Sequence, residues 1–344
     1  MNKEARFWKP HNDAVQCLLC PHRCTIAPGK RGICGVREND QGTLRTLIYG
    51  KYSSVAEDPI EKKPFNHFYP GSLVLSFGSV GCNLQCDHCQ NASISTASPE
   101  EIPLHNMSPQ QAIELAQRHR CAGIAWTYNE PTFWHEYTYD TAKLAKKEGL
   151  YTVYVTNGFI NEEPLKEISP YLDAMNIDIK AFHEDFYKKI CKARLEPVLQ
   201  ATELAQRLGI HLELTYLVIP TLNDSLQEIK QFVRWVIERI GAETPVHFSR
   251  FHPDHRLRNI PATPMDALLK IYDMAQAEGI LYPYLGNIPH GNYENTLCPT
   301  CGNVLIERYG FSATISGLQQ GKCGQCGRAI PIRGLQEKLH QEND

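Results

Sequence analysis

The sequence lacks any long apolar run, although 42% of its 344 residues are hydrophobic. No stretch approaches the ~20 consecutive apolar residues that a membrane-spanning helix needs. The opening residues, "MNKEARFWKPHND", also lack the apolar core of a secretion signal. These absences predict a protein with no membrane association, and we expect it in the cytoplasm.

A strong charge of either sign is also missing, because 35 basic and 38 acidic residues leave a formal net charge of -3. Nucleic acids and anionic membrane surfaces attract proteins through a basic excess. The overall balance therefore argues against a nucleic-acid partner, although it leaves room for a local basic patch. The length suits one large domain or two to three smaller ones.

Cysteine, by contrast, is abundant, with 13 residues. Disulfide frameworks are typical of small secreted chains with an even cysteine count, so clustered C-x2-C pairs in a reducing compartment favour metal binding here. Cys121 and Cys191 stand alone, and we expect both to be small buried hydrophobic residues. The others form three groups: Cys17, Cys20, Cys24 and Cys34; Cys82, Cys86 and Cys89; and Cys298, Cys301, Cys323 and Cys326.

From about residue 72, short β-rich runs alternate with amphipathic stretches of helical period. Repeated βα units of ~30 residues imply parallel strands joined by right-handed crossovers. The pattern predicts an α/β fold, with a partial (β/α)6 TIM-like barrel favoured and a doubly wound sheet as the alternative. The predicted strands are 73–79, 123–129, 151–158, 174–181, 211–220, 245–253 and, more weakly, 281–287.

The cysteine groups before and after this region indicate where the predicted domains begin and end. Residues 1–70 form a four-cysteine metal-binding segment that ends in a loop-like stretch, "AEDPIEKKPFNHFYPG". Residues 71–290 form the barrel, residues 291–334 a zinc-ribbon-like module, and residues 335–344 a frayed tail.

Polar residues follow the predicted strands at the points where parallel α/β folds bind their ligands. The cysteine loop at 82–89 follows the first strand, and further polar segments end or follow the next five. These segments are 129–131, 156–158, 178–180, 220–224 and 251–255. We therefore predict one site at the carboxyl ends of the strands.

The loop "GCNLQCDHCQN" spaces Cys82, Cys86 and Cys89 as C-x3-C-x2-C. Iron–sulfur clusters normally take four thiolates, so three would leave one iron open to a substrate or cofactor. A catalytic zinc keeps a position free in the same way. The alternative from spacing alone is a zinc site completed by His88 or by a distant histidine.

The same loop resembles the signature of the radical S-adenosylmethionine (SAM) superfamily. The segments "YNEPT", "VTNGF", "IDIK" and "YLVIPTLND" resemble, in order, those of the pyruvate formate-lyase activating enzyme group, over about residues 72–256. The resemblance implies that the three cysteines hold a 4Fe–4S cluster whose fourth iron binds SAM. With the polar strand ends, it predicts these SAM contacts: His88, Asn129, Glu130, Thr156, Asn157, Asp178, Lys180 and His252.

The N-terminal run "CLLCPHRCTIAPGKRGICGVREN", followed by this core, resembles the radical SAM member of the AmmeMemoRadiSam group. That resemblance implies a Memo-like or AmmeCR-like partner. Val155 and Thr215 depart from the activating enzymes, which carry an aspartate and an arginine at those points. A cation site at Val155 is therefore doubtful, and we expect the substrate side to differ.

The two outer cysteine groups each offer four thiolates. Cys298, Cys301, Cys323 and Cys326 form two knuckle-like C-x2-C pairs, which favour a structural zinc over a second iron–sulfur cluster. The spacing C-x2-C-x3-C-x9-C from Cys17 to Cys34 does not match the bacterial ferredoxin run. Zinc is slightly favoured there, and an auxiliary cluster stays open.

The resemblance implies a reaction as well as a fold. One electron from flavodoxin or ferredoxin would drive reductive cleavage of SAM, and the 5′-deoxyadenosyl radical would abstract hydrogen from a protein substrate, as in activating enzymes of the oxidoreductase class. Modification of a small molecule or a tRNA is the alternative substrate class. A non-catalytic iron–sulfur or zinc scaffold that docks partners is the alternative of another kind.

Overall fold

The computed structural model describes residues 3–289 and 291–335. Its centre is an eight-stranded sheet in which the first strand runs antiparallel to the second and the other seven are parallel. The strands are β1 (Ser54–Pro59), β2 (Leu73–Gly78), β3 (Gly123–Trp126), β4 (Tyr151–Thr156), β5 (Ala174–Asp178), β6 (His211–Val218), β7 (Val246–Arg250) and β8 (Pro283–Gly286). All seven predicted strands are confirmed, and β1 lies in the stretch that was expected to be loop.

Strand order separates the two architectures that the sequence left open. The strands neighbour one another in chain order from β1 to β8. A doubly wound sheet would reverse its order at a switch point, whereas a barrel winds in one direction. Within the described residues β1 and β8 do not pair with each other, so the sheet is a partial barrel with seven parallel strands. The parallel strands are buried on both faces, which explains why they appear in the sequence as nearly continuous apolar runs.

Six longer helices connect the parallel strands and cover the sheet. They are α1 (Pro109–Arg118), α2 (His135–Lys147), α3 (Glu162–Ile168), α4 (Leu195–Arg207), α5 (Leu226–Trp235) and α6 (Met265–Glu278). Ser108 caps α1 reciprocally with Gln111, which satisfies two donors at the helix start. Shorter elements are the α-helical turns Ala92–Ser95 and Glu184–Phe186, the π-helical turns Tyr187–Cys191 and Val236–Ile240, and the 3₁₀ turns Ile60–Lys62, Thr132–Trp134, Ser169–Tyr171 and Asn292–Glu294. No helix in the described part of the chain is long and apolar enough to cross a bilayer.

Small antiparallel sheets lie before and after the barrel. The N-terminal strands are Lys3–Glu4, Trp8–His11, Ala14–Cys17, Thr25–Ile26, Arg37–Asp40 and Thr43–Thr46, and a two-stranded pair joins Lys51–Tyr52 to His105–Asn106. The C-terminal strands are Thr296–Leu297, Val304–Tyr309, Ser312–Ile315, Leu318–Gln319 and Lys322–Cys323. Of the predicted tail at 335–344, all but residue 335 lies outside the described residues.

A buried ion pair fastens the N-terminal sheets to the barrel. Arg37, on strand Arg37–Asp40, and Glu136, in α2, are both about 1% exposed and bond through Arg37 Nη2 and Glu136 Oε1. Arg37 Nη1 also donates to the carbonyl of Arg6 at 2.9 Å, and the amide of Arg6 donates to Glu136 Oε1 at 2.7 Å. The ion pair therefore also binds the N-terminal backbone, although Arg37 Nε and Glu136 Oε2 are buried without a hydrogen-bond partner among the described residues.

A second buried network lies inside the sheet and centres on Glu213 of β6. Its carboxylate accepts the backbone amides of Asn66 and His67 at 2.9 and 2.7 Å and is 2.7 Å from His247 Nε2. His67 in turn lies 2.7 Å from the hydroxyl of Tyr284 and 3.2 Å from the carbonyl of Pro331. Segment 60–69 is thus held against β6 and β8 by hydrogen bonds that the apolar pattern of the sequence does not reveal.

We expect acid to destabilise the fold through His67. Burial lowers the pKa of His67 from 6.5 to about 3, so the unfolded chain takes up this proton first as the pH falls. The contribution is fully present above pH 6.5 and is lost between 6.5 and 3, at ~1.4 kcal/mol per pH unit. Urea unfolding at pH 7.5 and 5.5 measures it. His67→Gln should show a smaller loss over that interval, and an equal loss in both proteins would contradict the assignment.

Candidate active site at the carboxyl ends of the strands

A cavity of about 460 Å³ opens at the carboxyl ends of the parallel strands. It contains the three thiols of the cysteine loop and most of the polar residues that the sequence predicted. The predicted residues that line it are Cys82, Cys86, Cys89, His88, Asn129, Glu130, Thr156, Asn157, Asp178 and Lys180. His252 lies outside this lining and is exposed, with its Nδ1 3.4 Å from Nε2 of the lining residue Gln90.

The cysteine loop is held by backbone bonds to the π-helical turn Tyr187–Cys191. The amide of Gln85 donates to the carbonyl of Cys191 at 3.0 Å, and the amide of Asp87 donates to that of Ile190 at 3.1 Å. The thiol of Cys191 hydrogen-bonds to Cys86 and lowers the pKa of Cys86. Cys191 is buried, as predicted, but it also contacts a member of the loop, which its isolated place in the sequence did not indicate.

Glu130 joins three segments at one edge of the cavity. Its Oε1 accepts the amide of Thr132 at 2.9 Å and the hydroxyl of Thr156 at 2.7 Å. Its Oε2 accepts the amide of Asn157 at 2.8 Å. Burial raises the pKa of Glu130, although these donors oppose the shift. A carboxylate oxygen has two acceptor positions, so Oε2 retains one for a further donor.

Asn157 and Asn129 position the backbone around Cys82. The side-chain Nδ2 of Asn157 donates to Oδ1 of Asn83 at 2.9 Å and lies 3.8 Å from Cys82 Sγ. Asn129 accepts the amide of Ser79 and donates to the carbonyl of Gly81, each at 3.1 Å. Both asparagines therefore fix the start of the cysteine loop, and Asn129 does so with both ends of its amide.

The cavity lining also contains a histidine and an ion pair. His88 is buried, and its Nδ1 lacks a hydrogen-bond partner within the described structure. Burial lowers the pKa of His88 to about 3, so the ring is neutral at pH 7 and its Nδ1 is free to bond to a ligand. Lys180 Nζ contacts Asp178 Oδ2 at 2.6 Å, and despite the opposing effect of burial this carboxylate raises the pKa of Lys180.

Comparison with known proteins identifies the family of the chain. A sequence profile described as "Radical SAM superfamily" matches residues 77–236. An uncharacterized protein of Methanocaldococcus jannaschii is 47% identical over 333 residues, which cover 96% of this chain and 99% of that protein. The chain belongs to the radical SAM superfamily.

Two more distant proteins extend the comparison. The pyruvate formate-lyase-activating enzyme of Clostridium pasteurianum is 24% identical over 218 residues, covering 59% of this chain and 89% of that enzyme. A radical SAM methyltransferase from Sphaerobacter thermophilus matches the structure with a TM-score of 0.50 and 15% identity, over 63% of this chain and 67% of that one. This structural match supports the radical SAM α/β fold alone.

The radical SAM family implies a 4Fe–4S cluster and SAM, and the lining residues fit both. The thiols of the loop share one cavity. Within the described part of the chain, none of them belongs to a compact set in which three or more Cys, His, Asp or Glu ligand atoms lie within 4.8 Å of one another. Among the described residues, such a set is formed by the C-terminal cysteines. A single zinc completed by His88 would need such a compact set. The free acceptor position on Oε2 of Glu130 suits an amino group such as that of SAM. The unpartnered Nδ1 of His88 suits a polar heterocycle such as adenine.

The sequence did not point to Lys62 and Lys63, which line the same cavity. Lys63 is 3% exposed and contacts Asp58 at 2.7 Å, while Lys62 contacts the other oxygen of Asp58 at 2.7 Å. Burial lowers the pKa of Lys63, although Asp58 opposes the shift. The hydroxyl of Tyr128 donates to Asp58 at 2.6 Å. Two adjacent lysines before a proline in "EKKPF" were the available signal, but nothing in that stretch indicated that it reaches the barrel interior.

The C-terminal cysteine group (Cys298, Cys301, Cys323 and Cys326) forms a compact set far along the chain from this cavity. Its four Sγ atoms all lie within 4.8 Å of one another. Cys298 and Cys326 are 3.5 Å apart, and Cys301 and Cys323 are 3.6 Å apart. Tetrahedral Zn–S bonds of 2.3 Å place the sulfurs about 3.8 Å apart. The set therefore fits a single metal ion and a zinc-ribbon-like module.

Proposed function

We propose that this radical SAM protein is an enzyme that cleaves SAM reductively in the cavity at the strand ends. A 4Fe–4S cluster on Cys82, Cys86 and Cys89 would supply that chemistry by generating the 5′-deoxyadenosyl radical. The observation that carries the proposal is the meeting of three thiols with an unfilled carboxylate acceptor, Glu130, in one cavity. We assign this chemistry to residues 71–290, with the outer segments as separate metal-binding units.

The side chains of the cavity would divide the work of binding and positioning. Glu130 offers its remaining acceptor to the ammonium of SAM, and that cation would offset the cost of burying the carboxylate. His88, neutral and with a free Nδ1, would contact the adenine. Thr156, Asn157, Asp178 and Lys180 would bind the remaining polar groups, while His252 would act only from the rim.

The substrate class we propose is a protein, as in the activating enzymes. Support comes from the relatedness to the pyruvate formate-lyase-activating enzyme of C. pasteurianum. Flavodoxin or ferredoxin would donate the electron, a Memo-like or AmmeCR-like protein is a candidate partner, and the cytoplasm is the expected compartment.

The proposal is tested with the wild-type chain. Anaerobically reconstituted protein that has been reduced with dithionite should convert SAM into equal amounts of methionine and 5′-deoxyadenosine, measured by chromatography and mass spectrometry. The same protein without reductant should form neither. Protein that contains its full iron and yet forms no 5′-deoxyadenosine would support the scaffold alternative instead.

We expect Glu130→Gln to weaken SAM binding by about 10- to 100-fold, because a hydrogen bond to a charged group contributes about 1.5–3 kcal/mol. Glutamine keeps the shape but loses the charge. Equilibrium dialysis with reconstituted, unreduced protein measures the affinity. Glu163→Gln, on the exposed surface of α3, is the matched control and should bind SAM as the wild type does. Equal affinities in all three proteins would contradict the role of Glu130.

A further inference from the structure

The N-terminal cysteine group (Cys17, Cys20, Cys24 and Cys34) encloses a small cavity of its own. The cavity measures about 20 Å³. Besides the four cysteines, its lining includes apolar residues such as Leu19, Ile26 and Phe133 and the polar residues His22, Arg37 and Asn83. These thiols take no part in the cleavage of SAM proposed above. Four converging thiols around an enclosed space are the donor set of either a zinc ion or an iron–sulfur cluster.

The spacing of the sulfurs separates these two cases. In the C-terminal group all four Sγ atoms lie within 4.8 Å of one another, as one zinc ion requires. The N-terminal group lies wholly within the described residues and does not form such a set. Its sulfurs are distributed around a cavity instead. A cluster places iron and sulfide between its thiolates and therefore holds them further apart than a single ion does.

Positive charge also lies beside this group. Arg37 Nη1 is 3.9 Å from Cys17 Sγ, and Arg37 is 1% exposed. Four thiolates around a metal centre carry excess negative charge, which is costly to bury without a compensating cation. Arg37 directs Nη1 toward Cys17, but its positive charge is already paired with Glu136, so it favours a metal–thiolate site through this donor and not through net charge.

The N-terminal group lies directly against the loop that holds Cys82. A Cβ placed on Gly81 would come within 2.4 Å of the carbonyl oxygen of Cys34, so only glycine fits between them. On the other side of Cys82, Asn83 lines the N-terminal cavity, and its carbonyl lies 2.7 Å from His22 Nε2. Cys34 and Cys82 also line one common surface cavity. The residues before and after Cys82 therefore both touch the N-terminal site.

We propose that Cys17, Cys20, Cys24 and Cys34 bind a second iron–sulfur cluster, of two or four irons, which passes an electron to the cluster at the cysteine loop. A one-electron donor of the flavodoxin or ferredoxin class reduces this second cluster by one electron. The cluster is reoxidised when the electron moves to the loop, and no bond is formed or broken. The electron transfer rests on the proposed function, whereas cluster binding by the four cysteines does not depend on it.

Metal analysis of the full chain tests the site. The variant Cys82→Ala/Cys86→Ala/Cys89→Ala, reconstituted anaerobically, should keep two or four irons with equal acid-labile sulfide and one zinc. Adding Cys20→Ser and Cys24→Ser should remove that iron. Cys298→Ser/Cys301→Ser is the matched control and should lose zinc only. A triple variant without iron, or with a second zinc in its place, overturns the proposal even if the serine variants fail to fold.

Electron paramagnetic resonance tests the transfer step. In reduced wild-type protein the two clusters should interact magnetically, so the signal should be broadened or split relative to that of the triple alanine variant. Two independent signals in the wild type, or no reducible cluster in the triple variant, would overturn the relay. This readout does not depend on turnover, so it separates failure of the relay from failure of SAM cleavage.

Discussion

Cys86→Ala is expected to abolish formation of 5′-deoxyadenosine and to remove about four irons per chain, because a cubane cluster cannot persist on two protein thiolates. Iron and sulfide analysis, together with the product assay on reduced protein, measure both effects. Cys86 is the appropriate target because it lines the cavity and belongs to no other metal group.

The controls for this experiment use the two isolated cysteines. Cys121→Ala removes a buried thiol away from the cavity and should keep both the iron and the product. Cys191 contacts Cys86 and could replace it as a ligand, so Cys86→Ala/Cys191→Ala should be measured beside the single variant. An unchanged iron content in that double variant would show that the loop does not hold the cluster.

Arg37→Met should lower the free energy of unfolding by about 3–5 kcal/mol, because it leaves the buried carboxylate of Glu136 without its cation. The backbone carbonyl of Arg6 would lose its donor as well. Chemical denaturation followed by circular dichroism measures the change. The loss should exceed that of any single surface substitution, since those usually stay within about 0.5 kcal/mol.

A neighbouring arginine provides the matched control. Arg45 lies on the strand paired with that of Arg37 and bonds to Asp40 at 2.7 Å, but both side chains are substantially exposed, at 35% and 51%. Arg45→Met should therefore cost less than about 1 kcal/mol. Arg37→Met/Glu136→Met should recover part of the lost stability, because it removes both buried charges together. Equal costs for Arg37→Met and Arg45→Met would contradict this account.

The barrel was predictable because its strands are buried on both faces and carry their polar residues at the ends. Segments 151–156 and 174–178 appear in the sequence as short apolar runs, and each is followed by residues that line the cavity. Parallel strands bring their carboxyl ends to one edge, so Glu130, Thr156 and Asp178 could be placed together before any contact was known.

Other features depend on contacts that the sequence pattern does not carry. Strand β1 was missed because it is an antiparallel edge strand, "SVAEDP", whose exposure alternates along its length. Cys191 and Lys63 reach the cavity region through tertiary packing, far in sequence from the loop that they approach. The arrangement of the N-terminal cysteines around a common cavity was likewise not evident from cysteine spacing along the chain.

Arg308 shows that the predicted segments do not stand apart. From strand Val304–Tyr309 it donates to the carbonyl of Asn66 at 2.7 Å and to the hydroxyl of Thr296 at 2.8 Å. The amide of Arg333 also donates to the carbonyl of His67 at 2.9 Å. Segment 60–69 is thus clamped between the barrel and the zinc-ribbon-like module. Loss of a metal from that module should consequently loosen segment 60–69, and with it Lys62 and Lys63, which line the cavity at the strand ends.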